Sequence, residues 1–515
     1  MTVSRLLAVL MAASLTVVGC DDDRAPTAPT GAGTVQGVRE DGLTRFRGIP
    51  YAAPPTGDLR WRAPQPPAAW DGIRPAEVSA PGCAQGPDLP AAREDCLYLD
   101  VTAPAGAENR PVLVWLHGGG LSEGVGADYD PARMVRQGDV VVVTVEFRLG
   151  MFGFFGAPGL DGSGTFGLQD QQAALRWVGD NIRAFGGDPG NVTLIGESGG
   201  AIGTCAQLTA PGAAGLVHRA IMQSGDCEAA MPKDAIPTGS EAYRFFQPLA
   251  TTEAAGTAAM TALGCADVAC LRAKPAEALH EQYPNFGAAA FGTPTLPRDP
   301  AEALRSGDVA RVPVLAGANR HEQRLTAGLF AVAGWWISAE EYPGLITRTF
   351  GDRAPAILRE YPVSEFGGDG AIAWADVFTD SMACAPDPAS AMFPKLVPTF
   401  EYEFADEDAQ PFTDLPDGFR AGASHASELP NLFDVAGREP IGSDRYTDAQ
   451  RRLADRMIGY WTAFARTGDP NHRGAEPWPR AAAGRVTTLQ LAPDDIRPVD
   501  VARVHRCDFW RALGS

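Results

Sequence analysis

Short, nearly unbroken apolar runs alternate along the chain with longer stretches whose apolar residues recur at helical spacing. Pro111-Val112-Leu113-Val114-Trp115-Leu116-His117 is one such run, and Asp139 to Phe147 is a second, rich in β-branched residues. Runs of this kind predict strands buried on both faces of a largely parallel sheet. Asn191 to Ile195, Val217 to Gln223 and Val312 to Ala316 continue the series, and Thr399 to Phe404 is expected to close it. Between them, Gly167 to Phe185 predicts a helix with Leu168, Ala173, Leu175, Trp177, Val178 and Ile182 facing inward. Tyr446 to Thr467 predicts another, with Leu453, Met457, Ile458, Trp461 and Phe464 on one side and Gly468-Asp469-Pro470 as its stop. Strands alternating with helices indicate an α/β fold, a mostly parallel central sheet flanked by helices.

The remaining stretches fit one large domain with insertions. Val35 to Val38 and Thr44 to Tyr51 predict short strands, and the Pro-rich segment Ala53 to Trp70 excludes helix. Residues from about Ala230 to Arg305 and from Leu325 to Ala391 are less regular and predict inserted helices, with Trp335, Trp336 and Trp374 expected in their packing. No internal repeat is present.

The first nineteen residues do not belong to this pattern. Arg5 precedes the apolar run Leu6 to Val18, which is too short for a comfortable membrane span and predicts a signal peptide over 1–19. Val17-Val18-Gly19-Cys20 resembles the lipobox of bacterial lipoproteins, which implies lipidation at Cys20 and anchoring in the cell envelope. The alternative is a plain secretory signal. Residues 20–33, Asp-rich and then Pro/Thr/Ala/Gly-rich, predict a flexible tether before a domain spanning 34–515.

Composition is that of an ordinary globular protein, 45% hydrophobic and 21% charged, with ample core for 515 residues. A net charge of −20 argues against nucleic acid or anionic lipid headgroups as partners. Besides Cys20 there are eight cysteines, at 83, 96, 205, 227, 265, 270, 384 and 507. An even number in an exported chain predicts a disulfide framework, though spacing alone selects no pairing. The absence of C-x-x-C spacing and of a His cluster argues against a zinc site, so no metal or cofactor is expected.

The candidate chemistry centres on Gly196-Glu197-Ser198-Gly199-Gly200, which follows a predicted strand and opens a predicted helix. Strand, G-x-S-x-G and helix in that order is the setting of a nucleophile elbow. A serine hydroxyl is a weak nucleophile and needs a base, which itself needs an orienting acid. On such a fold the chain order is Ser, acid, His. His117 precedes the serine and is in the wrong place to be the base, while His218, His280, His472 and His505 are expected at the surface or in packing.

The chain resembles the type-B carboxylesterases, the family of cholinesterases and some fungal lipases, on the α/β-hydrolase fold. The resemblance runs from about Thr34 to the C-terminus. It is carried by Phe46-Arg47-Gly48-Ile49-Pro50-Tyr51, Glu94-Asp95-Cys96-Leu97-Tyr98-Leu99, His117-Gly118-Gly119-Gly120 and Arg148-Leu149-Gly150. Gly167-Leu168-Gln169-Asp170-Gln171, Phe185-Gly186-Gly187-Asp188-Pro189, the elbow and Gln223-Ser224-Gly225 continue it.

The resemblance implies a catalytic triad of Ser198, Glu322 and His425. His425 lies in Gly422-Ala423-Ser424-His425-Ala426-Ser427-Glu428-Leu429, and Glu322 in a loop after the predicted strand Val312 to Gly317. His321-Glu322-Gln323 departs from the family's usual Asp-Glu followed by Gly or Ser, and His321 is a candidate to perturb the pH dependence. Gly119, Gly120 and Gly199 would supply the oxyanion hole; Gly199 stands where alanine is usual, which suggests a slightly more flexible elbow. Glu197 would act as an auxiliary electrostatic group and Ser224 as a supporting hydrogen-bond partner. The resemblance also implies the disulfides Cys83–Cys96, Cys265–Cys270 and Cys384–Cys507, leaving Cys205–Cys227. The loop between Cys83 and Cys96 is short and lacks aromatic residues, which argues against choline esters and against an interfacial lid. Leu121, where phenylalanine is common, alters the pocket beside the oxyanion hole. The expected activity is hydrolysis of short-to-medium acyl esters through an acyl-enzyme. The alternatives are a lipase or specialised detoxifying esterase, and a non-catalytic cell-surface recognition protein on the same fold.

Overall fold

The computed structural model describes residues 25–86, 92–235, 240–385, 388–482 and 488–514. The predicted signal peptide (1–19) and Cys20 therefore lie outside the described residues, as do residues 87–91 of the loop between Cys83 and Cys96. The central sheet consists, in chain order, of β1 (Val38–Glu40), β2 (Leu43–Pro50), β3 (Tyr98–Pro104), β4 (Arg110–Leu116), β5 (Val141–Val145) and β6 (Gly187–Glu197). It continues with β7 (Arg219–Gln223), β8 (Val314–Asn319), β9 (Thr399–Phe404), β10 (Thr488–Leu491) and β11 (Arg497–Val499). Their spatial order is β11-β10-β9-β8-β7-β6-β4-β5-β3-β2-β1. From β10 to β5 every neighbouring pair is parallel, and the strands beyond these are antiparallel. This is the α/β-hydrolase architecture expected. Thr399 to Phe404 does not close it: β10 and β11, too short to stand out as apolar runs, extend the edge.

The unbroken apolar runs are explained by burial on both faces. Val112, Val114 and Leu116 of β4 enter one core cluster, while Leu113 and Trp115 enter the other. Helix α1 (Phe166–Asn181) covers the first face with Leu175 and Val178. The long C-terminal helix Asp448–Thr467 covers the second with Leu453, Met457, Ile458, Trp461 and Phe464. A capping box between Thr447 and Gln450 starts that helix, and Gly468 ends it in the left-handed region. A third cluster, including Trp374, Phe330 and Trp510, is built by the inserted helices and the C-terminal helix Cys507–Leu513, although Trp336 is half exposed.

Two expectations are corrected at the N-terminal side. Residues 20–33 are not a tether throughout, because Thr27–Pro29 pairs antiparallel with Thr34–Gln36. Ala28 is fully buried opposite Val35, and the intervening turn is closed by Thr30 donating through Oγ1 to the Gly33 carbonyl at 2.7 Å. The folded unit thus begins by Thr27. The Pro-rich segment contains no α-helix but does hold one 3₁₀ turn, Gly57–Leu59.

All four cysteine pairs form as the resemblance implies: Cys83–Cys96, Cys205–Cys227, Cys265–Cys270 and Cys384–Cys507. Cys384–Cys507 joins chain segments 123 residues apart and fastens the C-terminal helix Cys507–Leu513 to the inserted helices.

Candidate active site

In an open parallel sheet, function gathers beyond the carboxyl ends of the strands where the strand order reverses. Here the reversal lies at β4, with β5 on one side and β6 on the other. β4 ends at Leu116 and runs into His117-Gly118-Gly119-Gly120, β6 ends in the elbow, β8 leads to Glu322, and the chain after β9 carries His425.

Ser198 sits between β6 and helix α2 (Gly199–Thr209), with φ 51° and ψ −119°. This backbone is strained for a side chain bearing a Cβ and is held from several directions. Its N–H donates to the Gln223 carbonyl at 2.8 Å, and its own carbonyl accepts from Ile202 N at 3.0 Å. Gly200 is needed because a Cβ there would overlap the Leu116 carbonyl, so β4 and α2 approach only over bare backbone.

The three residues expected as a triad are in contact. Ser198 Oγ lies 2.9 Å from His425 Nε2, and His425 Nδ1 lies 2.5 Å from Glu322 Oε2. Glu322 Oε1 accepts from Asn319 N at 2.7 Å, and the Glu322 carbonyl accepts from His425 N at 3.2 Å. Burial pushes the His425 imidazole down, but the surrounding charges of Glu322 and Glu197 outweigh it and hold the pKa well above the ordinary histidine range. Burial would likewise raise the Glu322 carboxyl, yet the charge and hydrogen bond of His425 keep it low, with the Ser224 hydroxyl adding to the effect.

Glu197, 2% exposed, places Oε1 3.3 Å from His425 Nε2, on the edge of the ring that faces Ser198. Burial raises its pKa to about 8, opposed by the charge of His425. Beneath the imidazole lies a polar network that sequence reasoning did not assign. Glu428, fully buried, accepts from Asn319 Nδ2 at 2.6 Å and Gln223 Nε2 at 3.0 Å. Trp461 Nε1 donates to Gln223 Oε1 at 2.9 Å, and Asn319 Nδ2 also reaches the Ser424 carbonyl at 2.7 Å. The one signal in the sequence was an acidic residue shortly after His425 in an otherwise small-residue loop.

Burial, then the nearby Arg324 and Arg320, push the His321 pKa down to about 2, which keeps the ring neutral near neutral pH. Its backbone N–H donates to the Ala423 carbonyl at 2.9 Å, and its Nδ1 accepts from Ala423 N at 3.3 Å. The departure from the family pattern thus ties the acid loop to the histidine loop. His505 is in packing as expected, but as a buried link between Asp380 at 2.6 Å and Glu403 at 2.7 Å.

The glycine loop lies against the elbow. Gly119, at φ 102°, adopts a conformation closed to other residues. A Cβ on Gly199 would come 2.8 Å from Gly120 N and 2.7 Å from Leu121 N, so glycine here permits a close approach of the loop. Leu121 is buried with Phe154, Ile202 and Phe246, and Phe245 stands 3.7 Å from the place a Cβ on Gly120 would take. Among the described residues no group of three or more His, Cys, Asp or Glu is placed to hold a metal ion.

The sequence profile of the carboxylesterase family matches residues 24–510. The chain belongs to the carboxylesterase family. It is a serine carboxylic-ester hydrolase on the α/β-hydrolase fold. The esterase is 33% identical over 524 residues to phenmedipham hydrolase of Pseudarthrobacter oxydans, covering 93% of this chain and 98% of that protein. It is 34% identical over 471 residues to para-nitrobenzyl esterase of Bacillus subtilis (strain 168), covering 87% and 91%. Among solved structures, a PNB esterase superposes with a TM-score of 0.75 at 30% identity, covering 94% of this chain and 99% of that one.

Proposed function

We propose that the esterase works through an acyl-enzyme on Ser198, with His425 as general base and acid and Glu322 as its orienting acid. The observation that carries this reading is the unbroken contact chain from Ser198 Oγ through both nitrogens of His425 to Glu322. Ser198 Oγ attacks the ester carbonyl carbon while its proton passes to His425 Nε2. The C=O π pair moves onto oxygen, and the N–H groups of Gly119, Gly120 and Gly199 receive that charge at the positive end of α2. Glu322 and Glu197 face the imidazolium that forms. The intermediate collapses as His425 returns the proton to the leaving alkoxide, releasing an alcohol. Water, activated by the same imidazole, then attacks the acyl-enzyme and frees the acid and Ser198.

Substrates are short-to-medium acyl esters in this reading. Phe245 and Leu121 supply an apolar wall beside Gly120, which suits a modest hydrocarbon chain. In a p-nitrophenyl ester series from acetate to palmitate, kcat/KM is expected to peak between butyrate and octanoate on dissolved substrate. A maximum at palmitate that appears only on emulsions contradicts this and favours the lipase alternative. The contact of all three triad members speaks against the recognition-protein alternative.

Anchoring through a lipid on Cys20 is part of the same proposal, supported by the lipobox-like Val17-Val18-Gly19-Cys20. Among the described residues no helix is long and apolar enough to cross a membrane. Cys20→Ser is expected to move the protein from the membrane to the soluble fraction; unchanged sedimentation with membranes refutes the anchor.

A further inference from the structure

Behind the glycine loop, two buried side chains face each other without satisfied partners. His117 is fully buried and Glu146 is 4% exposed. His117 Nε2 and Glu146 Oε2 lie 3.9 Å apart, and neither has a hydrogen-bond partner. Orphaned polar atoms at such depth are costly, and two that point at one another call for a shared explanation.

The other atoms of the pair are fixed. His117 Nδ1 lies 2.9 Å from the Gly118 carbonyl, which can only accept, so Nδ1 carries the hydrogen. The ring stacks on Phe147 with centroids 4.6 Å apart, and a Cβ on Gly124 would collide with it. Glu146 Oε1 accepts from Gly126 N at 2.7 Å and Ala127 N at 3.2 Å. The Gly118 carbonyl and the Gly119 N–H belong to one planar peptide and point in opposite directions. Whatever holds that carbonyl toward His117 therefore also fixes the direction of the Gly119 N–H, away from His117.

We propose that Glu146 is a positioning residue for the oxyanion hole, acting through the His117 imidazole on the Gly118–Gly119 peptide. The inference rests on the reading of Gly119 as an oxyanion donor. With the Nδ1 hydrogen committed to Gly118, a neutral His117 presents a lone pair at Nε2. A carboxylic acid at Glu146 donates its O–H to that lone pair once the gap closes by about 1 Å. A carboxylate instead sets lone pair against lone pair. Burial favours the donating arrangement, raising Glu146 to about 8 and lowering His117 to about 4. The charged and titratable groups around Glu146 are Asp100 on β3, Asp128 in the turn before Tyr129, Tyr129 itself, and Tyr51, whose hydroxyl donates to the Glu146 carbonyl at 2.6 Å. The buried Arg148–Asp170 pair lies two residues along and neutralises itself.

The test compares kcat–pH profiles of the full-length enzyme on p-nitrophenyl butyrate. Loss of one oxyanion donor typically costs ~10²–10³ in rate. Glu146→Ala is expected to lower kcat at least about tenfold, with KM changed less than about threefold, because only transition-state stabilisation is weakened. Glu146→Gln keeps a neutral donor toward His117 and is expected to recover most of that loss. It should also abolish the part of the wild-type decline in kcat that sets in above about pH 8. Glu197 titrates in the same range but is present in both proteins, so the difference between their profiles isolates Glu146. Wild-type kcat in Glu146→Ala, or a Glu146→Gln profile that superimposes on wild type, overturns the proposal. If Glu146→Ala does not fold, the Glu146→Gln profile decides alone. Covalent labelling of Ser198 by an organophosphate fluoride, run on the same proteins, separates the two claims. A label absent from wild type removes the reading beneath this one, whereas a labelled Ser198 with unaltered Glu146 variants removes only the role of Glu146.

Discussion

Ser198→Ala is expected to lower kcat by about 10⁶-fold while leaving the fold and KM nearly unchanged. The Ser198 hydroxyl is the nucleophilic oxygen that the site brings to His425, at 2.9 Å. Removing the oxygen also removes the acyl-enzyme, so a single bimolecular attack by water must replace two assisted steps. Residual hydrolysis, typically ~10³–10⁴ above the uncatalysed rate, is left to the Gly119, Gly120 and Gly199 donors and to substrate binding. The elbow survives because the backbone bonds of residue 198 to Gln223 and Ile202 do not involve the side chain. Steady-state kinetics with a thermal melt checks both halves of this expectation.

Glu322→Gln is expected to cost about 10⁴ in kcat, the scale seen when the orienting carboxylate of such a triad becomes an amide. The direction follows from the two neighbours of the carboxylate. Asn319 N is a fixed donor toward Oε1, so a glutamine must turn its carbonyl to Asn319 and its NH₂ toward His425 Nδ1. His425 Nδ1 must then accept, which forces the ring hydrogen onto Nε2, where the Ser198 proton has to go. The imidazolium formed during attack also loses its charged partner. Kinetics of the variant across pH tests the assignment, and near-normal turnover contradicts it.

How much of this was legible in the sequence depends on how local each feature is. The elbow was readable because strand, turn and helix are contiguous, and the glycines at 196 and 200 report a steric demand within the same turn. The parallel sheet was readable from β4 and β5 because burial on both faces leaves no polar alternation. Glu322 and His425 came through resemblance, since nothing in the spacing of 198, 322 and 425 reveals that β6, β8 and β9 bring them to one edge. The Glu428 network left a single trace in the sequence, an acidic residue shortly after His425. Gln223, Asn319 and Trp461 each look ordinary alone, and only the sheet order places the ends of β7 and β8 beneath the histidine loop. Glu146 was hidden in the same manner, as one acidic residue ending an apolar run. At Thr27–Pro29 the composition argued for a tether, but pairing with Thr34–Gln36 outweighed it.

The departures at 199 and 321 share one physical outcome. Glycine at 199 lets the glycine loop close onto the elbow, and His321 joins the Glu322 loop to the His425 loop through Ala423. Both bring neighbouring segments of the site into close contact.

The most direct measurement is peptide mapping by mass spectrometry after inactivation with an organophosphate fluoride. One phosphoryl adduct per chain on Ser198, lost in Ser198→Ala, is the predicted result. Stoichiometric inactivation with the adduct on any other residue contradicts the account.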